Sequence, residues 1–77
     1  METQLDTRGT FCPVPVTKTA EALKALEIGD ILEIVSDDIG VRMDLPAWCQ
    51  AQDQELLSME EEGSLTRLRI RKRNDVF

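Results

Sequence analysis

Apolar and polar positions divide the chain into short segments whose period changes at each turn. The stretch "QLDTR" (residues 4–8) mixes apolar and polar residues, is closed by Gly9, and reads as a first strand of about five residues. From Pro13 the spacing becomes helical. Val16, Ala20, Leu23 and Leu26 recur at steps of three and four, Lys18, Glu21 and Lys24 fall elsewhere on the wheel, and Gly29-Asp30 stops the run. "ILEIVS" (Ile31–Ser36) is β-branched and short, a second strand with Leu32 and Ile34 turned toward the helices, and "DDIG" follows as a turn. A second helix is predicted from Asp44 to about Gln52, because Asp44 is a good N-cap residue, Pro46 fits a first turn, and Leu45, Trp48 and Cys49 share a face. "ELLSMEEEGSLTRLRIRK" then reads as two strands joined around Glu62-Gly63-Ser64, with Leu65, Leu68 and Ile70 as apolar positions.

The predicted order is βαβαββ. Strand, helix, strand implies a parallel pair with a right-handed crossover, and the final hairpin adds antiparallel pairing. The expected fold class is α+β, a two-layer α/β sandwich with a mixed four-stranded sheet and two helices on one face. No repeat, low-complexity tract or linker interrupts residues 1–77, so a single domain is expected, with fraying only at Met1 to Thr3 and beyond Arg73.

Size and charge narrow the functions such a fold could serve. A chain of 77 residues buries only about 60% of the surface it exposes when unfolded, so function is expected on the surface or in a shallow groove. The 15 Asp+Glu against 9 Lys+Arg give a net charge of −6, which disfavours direct binding to nucleic acid or anionic membrane. Histidine and tyrosine are absent. Histidine-assisted nucleophilic catalysis and zinc-assisted hydrolysis therefore lose their usual parts, and neither metal nor cofactor is expected. Cys12 and Cys49 are too few and too far apart for a disulfide framework or a Cys-rich zinc site, and they suit a reducing compartment. The start "METQLDTRGT" lacks a basic-then-apolar pattern, and no run of about 18 apolar residues occurs, so a cytoplasmic location and a monomer are expected.

The candidate chemistry lies in "TFCPVP". If Pro13 opens the first helix at N1, its missing N–H costs nothing, and Pro15 at N3 still lies within the first turn. Cys12 would then be the N-cap, beside the positive end of the helix dipole, which favours a thiolate. No base, oxyanion apparatus or deep pocket accompanies this thiol in the sequence, so turnover of a carbon substrate is poorly served. Sulfur exchange needs little more than an accessible anionic sulfur and a partner to supply or accept the next one.

"LDTRGTFCPVP", with the βαβαββ order, resembles the TusA/SirA family of small sulfur-carrier proteins, whose hallmark is Cys-Pro-x-Pro at the start of the first helix. Here that motif is Cys12-Pro13-Val14-Pro15. The resemblance extends to Leu5, Asp6 and Gly9 upstream and to "GD", "SDD", "DLPAWC" and "IRKR" downstream, nearly all of the chain from Leu5 to Arg73. It departs at Ile39, where the family often has proline, and at Thr10-Phe11, where leucine is common. The resemblance implies that Cys12, supported by Pro13 and Pro15, receives a persulfide sulfur from a cysteine desulfurase or rhodanese-type donor. A downstream acceptor protein would take it on, in tRNA thiolation, molybdenum-cofactor synthesis or oxidative sulfur metabolism. Such a protein is a persulfide relay of the sulfurtransferase type rather than a self-sufficient enzyme.

Two rival readings use other residues. A thiol-disulfide redox protein would pair Cys12 with Cys49, although Cys49 follows Trp48 on the apolar helix face and is expected to be buried as a small hydrophobe. A regulatory or RNA-binding module would use Arg67, Arg69, Arg71 and Arg73, which alternate and so point away from Leu68 and Ile70. The same stripe could dock an acidic partner, or simply balance Glu60, Glu61 and Glu62 across the hairpin. Asp37 and Asp38 are expected to initiate a turn.

Overall fold

The computed structural model describes residues 2–76. The elements are β1 (Glu2–Asp6), α1 (Val14–Lys24), β2 (Ile31–Ser36), α2 (Val41–Gln52), β3 (Glu55–Glu62) and β4 (Leu65–Arg71). The sheet order is β1-β2-β4-β3, with β1 parallel to β2 and both β2–β4 and β3–β4 antiparallel. This is the expected α+β arrangement with a mixed sheet. β4 lies inside the sheet between β2 and β3, and the period of two along each central strand makes one face apolar. Leu32 and Ile34 of β2 and Leu68 and Ile70 of β4 are fully buried against Leu23 of α1 and Val41, Leu45 and Cys49 of α2. Each such leucine or isoleucine stabilises the fold by about 1.5–3 kcal/mol through burial.

Element boundaries differ from the sequence reading where side chains compete with backbone patterns. β1 begins and ends two residues earlier than expected, so Glu2 and Thr3 pair with Ile31 and Leu32 rather than fraying. Met1 and Phe77, assigned to the fraying ends, lie outside the described residues. Asp6 ends the strand because its carboxylate accepts the N–H of Arg8 at 2.9 Å and pairs with the Arg8 guanidinium. α2 begins at Val41, three residues before Asp44, and Pro46 sits inside the helix rather than in its first turn. Its start is organised by Asp38, which accepts the N–H of Gly40 on Oδ1 (3.0 Å) and that of Val41 on its carbonyl (3.1 Å).

α1 ends at Lys24, well before Gly29. The buried amine of Lys72 reaches back to donate to the Leu26 carbonyl at 2.6 Å, placing a cation beside the negative end of the helix. Beyond Arg73 the chain is also tied down. Asn74 donates to the Asp53 carbonyl at 2.9 Å, and Val76 packs on the core. No helix of the described residues is long and apolar enough to cross a membrane.

Candidate functional site

The loop from β1 to α1 is shaped by its polar residues. Thr7, fully buried, donates both its N–H (2.8 Å) and its hydroxyl (2.9 Å) to the Val35 carbonyl, so the loop leaves β1 still attached to β2. The Thr10 hydroxyl donates to the Thr7 carbonyl at 2.6 Å. Gly9 adopts φ 82°, a backbone state that an L side chain rarely takes, and its N–H points at the Asp37 carboxylate at 3.1 Å. The Arg8 guanidinium holds the exposed Asp6 carboxyl down at about 2, chiefly through their side-chain hydrogen bonds.

Cys12 follows this loop and is exposed. It is not the N-cap. The first carbonyl to accept an intrahelical bond belongs to Pro13, from the N–H of Thr17 at 3.0 Å, so Pro13 is the N-cap and Pro15 falls at N2. Both prolines still omit only N–H groups that a helix start leaves without intrahelical partners. Pro15 is buried and its carbonyl accepts the hydroxyl of Thr19 at 2.8 Å, which lets a polar residue share the buried stripe with Leu23.

The electrostatics of Cys12 reverse the expectation of a favoured thiolate. Its thiol is pushed above the ordinary value, first by partial loss of water around the sulfur, then by a hydrogen bond to Asp44 and by the negative charges of Asp44 and Asp38. Asp38 also fixes the residue in place, its Oδ2 accepting the Cys12 N–H at 3.0 Å. The Asp37-Asp38 pair therefore does more than turn the chain. One carboxylate holds Gly9 and the other holds Cys12, coupling the β2–α2 turn to the cysteine loop. Sequence reading missed Asp44 and the second role of the Asp pair, because these contacts span 26 or more positions along the chain.

Cys49 is 2% exposed and burial pushes its thiol up to about 11, as suits a packed apolar residue; both cysteines are free. Arg67, Arg69 and Arg71 do lie on the sheet face opposite Leu68 and Ile70. Glu60 lies opposite Arg67 in register, but their ion pairs are not made with Glu60–Glu62. Because β4 is an inner strand, its arginines reach Glu33 of β2 (3.9 Å), Glu2 of β1 (2.9 Å) and Glu55 of β3 (3.1 Å), while Arg73, past the strand end, pairs with Asp53. The stripe runs away from the cysteine. Arg67 lies opposite Val35, near the end of β2 that leads to Asp37, and Arg71 lies opposite Ile31 at the far end. A shallow cavity of about 180 Å³ on this sheet face, between Asp6, Arg8, Val35 and Arg67, does not include Cys12. Among the described residues no group of three or more His, Cys, Asp or Glu side chains is placed to hold a metal ion.

Comparison with known proteins accords with this architecture. The family model described as "Sulfurtransferase TusA" matches residues 3–72. "Putative sulfur carrier protein YrkF" of Bacillus subtilis is 41% identical over 68 residues, covering 88% of this chain but only 37% of YrkF, which is much the longer protein. "Putative sulfur carrier protein YrkI" of the same organism is 38% identical over 68 residues, covering 88% of this chain and 91% of YrkI. The crystal structure of a SirA-like protein from Desulfitobacterium hafniense superposes with a TM-score of 0.78 at 20% identity, covering 94% of this chain and 99% of that one, a likeness of fold.

Proposed function

The chain belongs to the TusA sulfurtransferase family, and from that premise we propose that it is a sulfur carrier whose working atom is Cys12 Sγ. In the loading step the Cys12 sulfur attacks the terminal sulfur of a donor persulfide. A new Sγ–S bond forms, the donor S–S bond breaks, and the donor sulfur leaves as a thiolate that takes up the proton Cys12 gives up. The balance is Cys12–SH plus R–S–SH giving Cys12–S–SH plus R–SH, with no external oxidant or reductant. In the unloading step an acceptor thiol takes the outer sulfur by the same exchange.

The observation that carries this reading is the contrast between the two thiols: Cys12 is exposed on a loop held by backbone hydrogen bonds, whereas Cys49 is buried in the core. The donor is a cysteine desulfurase or rhodanese-type protein. The acceptor serves tRNA thiolation, molybdenum-cofactor synthesis or oxidative sulfur metabolism, and the carrier works as a single-domain monomer. Burial of Cys49 speaks against the redox alternative. The carboxylate partner of each stripe arginine speaks against RNA binding.

A pulse-chase experiment tests the relay. Carrier loaded with isotopically labelled persulfide and freed of donor is mixed with a thiol acceptor protein. Label should leave the carrier as it appears on the acceptor, and a carrier that never releases its label would defeat the proposal.

A further inference from the structure

Three segments meet at Cys12: its own loop, the turn carrying Asp38, and the first turns of α2 carrying Asp44. Exposed apolar side chains border this junction. Phe11 (75% exposed) and Val14 (37%) flank Cys12, Ile39 (61%) follows Asp38, and Met43 (80%) precedes Asp44. Only two other large apolar residues among those described are exposed, Ile28 and Met59. Scattered surface apolar residues need no explanation, but four of them on the segments that meet at one nucleophile, a collar by chain position, do.

Charge says what covers the collar. Asp37, Asp38 and Asp44 stand among these apolar residues on a chain of net charge −6. The neighbouring cations are already engaged, Arg8 with Asp6 and Arg42 with Glu61 and the Gly63 carbonyl. A nucleic acid, an anionic membrane or a second copy of this acidic face would be repelled. An apolar centre with a cationic rim on the other side would be complementary in both respects.

We propose that the Phe11, Val14, Ile39 and Met43 collar docks a protein partner whose contact face is apolar at its centre and carries a lysine or arginine that pairs with Asp44, freeing the Cys12 sulfur for transfer. This rests on the sulfur-carrier reading. In the free chain, partial loss of water around the sulfur and then the Asp44 carboxylate beside it oppose ionisation of the thiol. Docking gives that carboxylate a cation instead, and the thiol proton passes to the thiolate leaving the donor.

The test compares two sulfur sources, a cysteine desulfurase supplied with cysteine and inorganic polysulfide, which needs no docking. Binding of the immobilised desulfurase is measured in parallel on a Cys12→Ser background. Phe11→Ser with Met43→Ser should weaken binding of the enzyme, and loading from it, by about tenfold, since truncated interface anchors commonly cost that much. Loading from polysulfide should stay within about twofold, as these side chains are exposed and the fold does not depend on them. Asp44→Asn should load faster from polysulfide yet bind the enzyme more weakly and with a flatter salt dependence, and Asp44→Glu should restore the salt dependence. Enzyme binding unchanged in the double variant, or both sulfur sources impaired alike, would overturn the inference. A wild-type chain that takes sulfur from polysulfide but neither binds nor takes it from the enzyme also overturns it, while leaving Cys12 as a sulfur-bearing site. Failure with both sources would overturn the carrier reading itself.

Discussion

Replacing Asp38 by Asn should destabilise the protein measurably, and replacing it by Ala should do so about twice as much. The two carboxylate oxygens serve different donors, Oδ1 the N–H of Gly40 and Oδ2 the N–H of Cys12, each at 3.0 Å. Asparagine keeps one acceptor oxygen, and its amide nitrogen would face whichever N–H is left. Losing the cap-like bond at the α2 start costs about 1 kcal/mol. A hydrogen bond to a charged acceptor is worth about 1.5 kcal/mol or more when buried, and for this half-exposed group about 1 kcal/mol is the fair figure. Ala loses both bonds, about 2 kcal/mol, which lowers the melting temperature of a domain this small by about 8–16 °C, whereas Asn loses one, about 1 kcal/mol and about 4–8 °C. Thermal unfolding followed by circular dichroism measures it, and hydrogen exchange at the Cys12 amide reports the loop directly. An aspartate that merely solvates a turn would tolerate Asn to within about 0.5 kcal/mol. A melting point that low in sensitivity, with unchanged protection at Cys12, would refute the coupling of the two segments.

The carboxylate of Asp44 opposes ionisation of Cys12, so Asp44→Asn should speed alkylation by iodoacetamide near neutral pH; an unchanged rate would remove Asp44 from the account. Arg69→Gln with Arg71→Gln breaks the pairs with Glu2 and Glu55. These exposed pairs should cost a few tenths of a kcal/mol each and leave sulfur transfer intact, and slowed transfer would revive the stripe as a docking surface. Cys49 titrates at about 11 in the fold against an ordinary 9.0, so between those values the folded state binds more protons. Its contribution is fully present below pH 9.0, is lost as pH rises toward 11, and amounts to no more than about 3 kcal/mol. The difference in stability between wild type and Cys49→Ala should therefore shrink across that window, as denaturant titrations at several pH values would show.

How far the sequence could be read depended on whether the deciding contacts were local. β2 came out at Ile31–Ser36 as expected, because alternation of buried and half-buried residues is written directly into "ILEIVS". The start of α2 did not, because Asp44 and Pro46 imitate a helix beginning while the turn is organised by Asp38, earlier in the chain. α1 was displaced by one residue for a similar reason: Pro13 can serve as N-cap as readily as N1, and only its bond from Thr17 decides. That single step moves Cys12 off the cap position, and loss of water around the sulfur, with Asp44 and Asp38 beside it, reverses the expected direction of its thiol. The arginine partners were misassigned because hairpin adjacency suggested Glu60–Glu62, whereas the inner place of β4 gives it β2 as a second neighbour. The motif residue Cys12 was legible; its surroundings were tertiary and were not.

Peptide-level mass spectrometry after reaction with a cysteine desulfurase and sulfur-labelled cysteine tests the central proposal most directly, because it locates the transferred atom. The predicted result is one added sulfur on the peptide bearing Cys12, abolished by Cys12→Ser and retained in Cys49→Ala. Labelled sulfur on Cys49, or loading undiminished in Cys12→Ser, would contradict it.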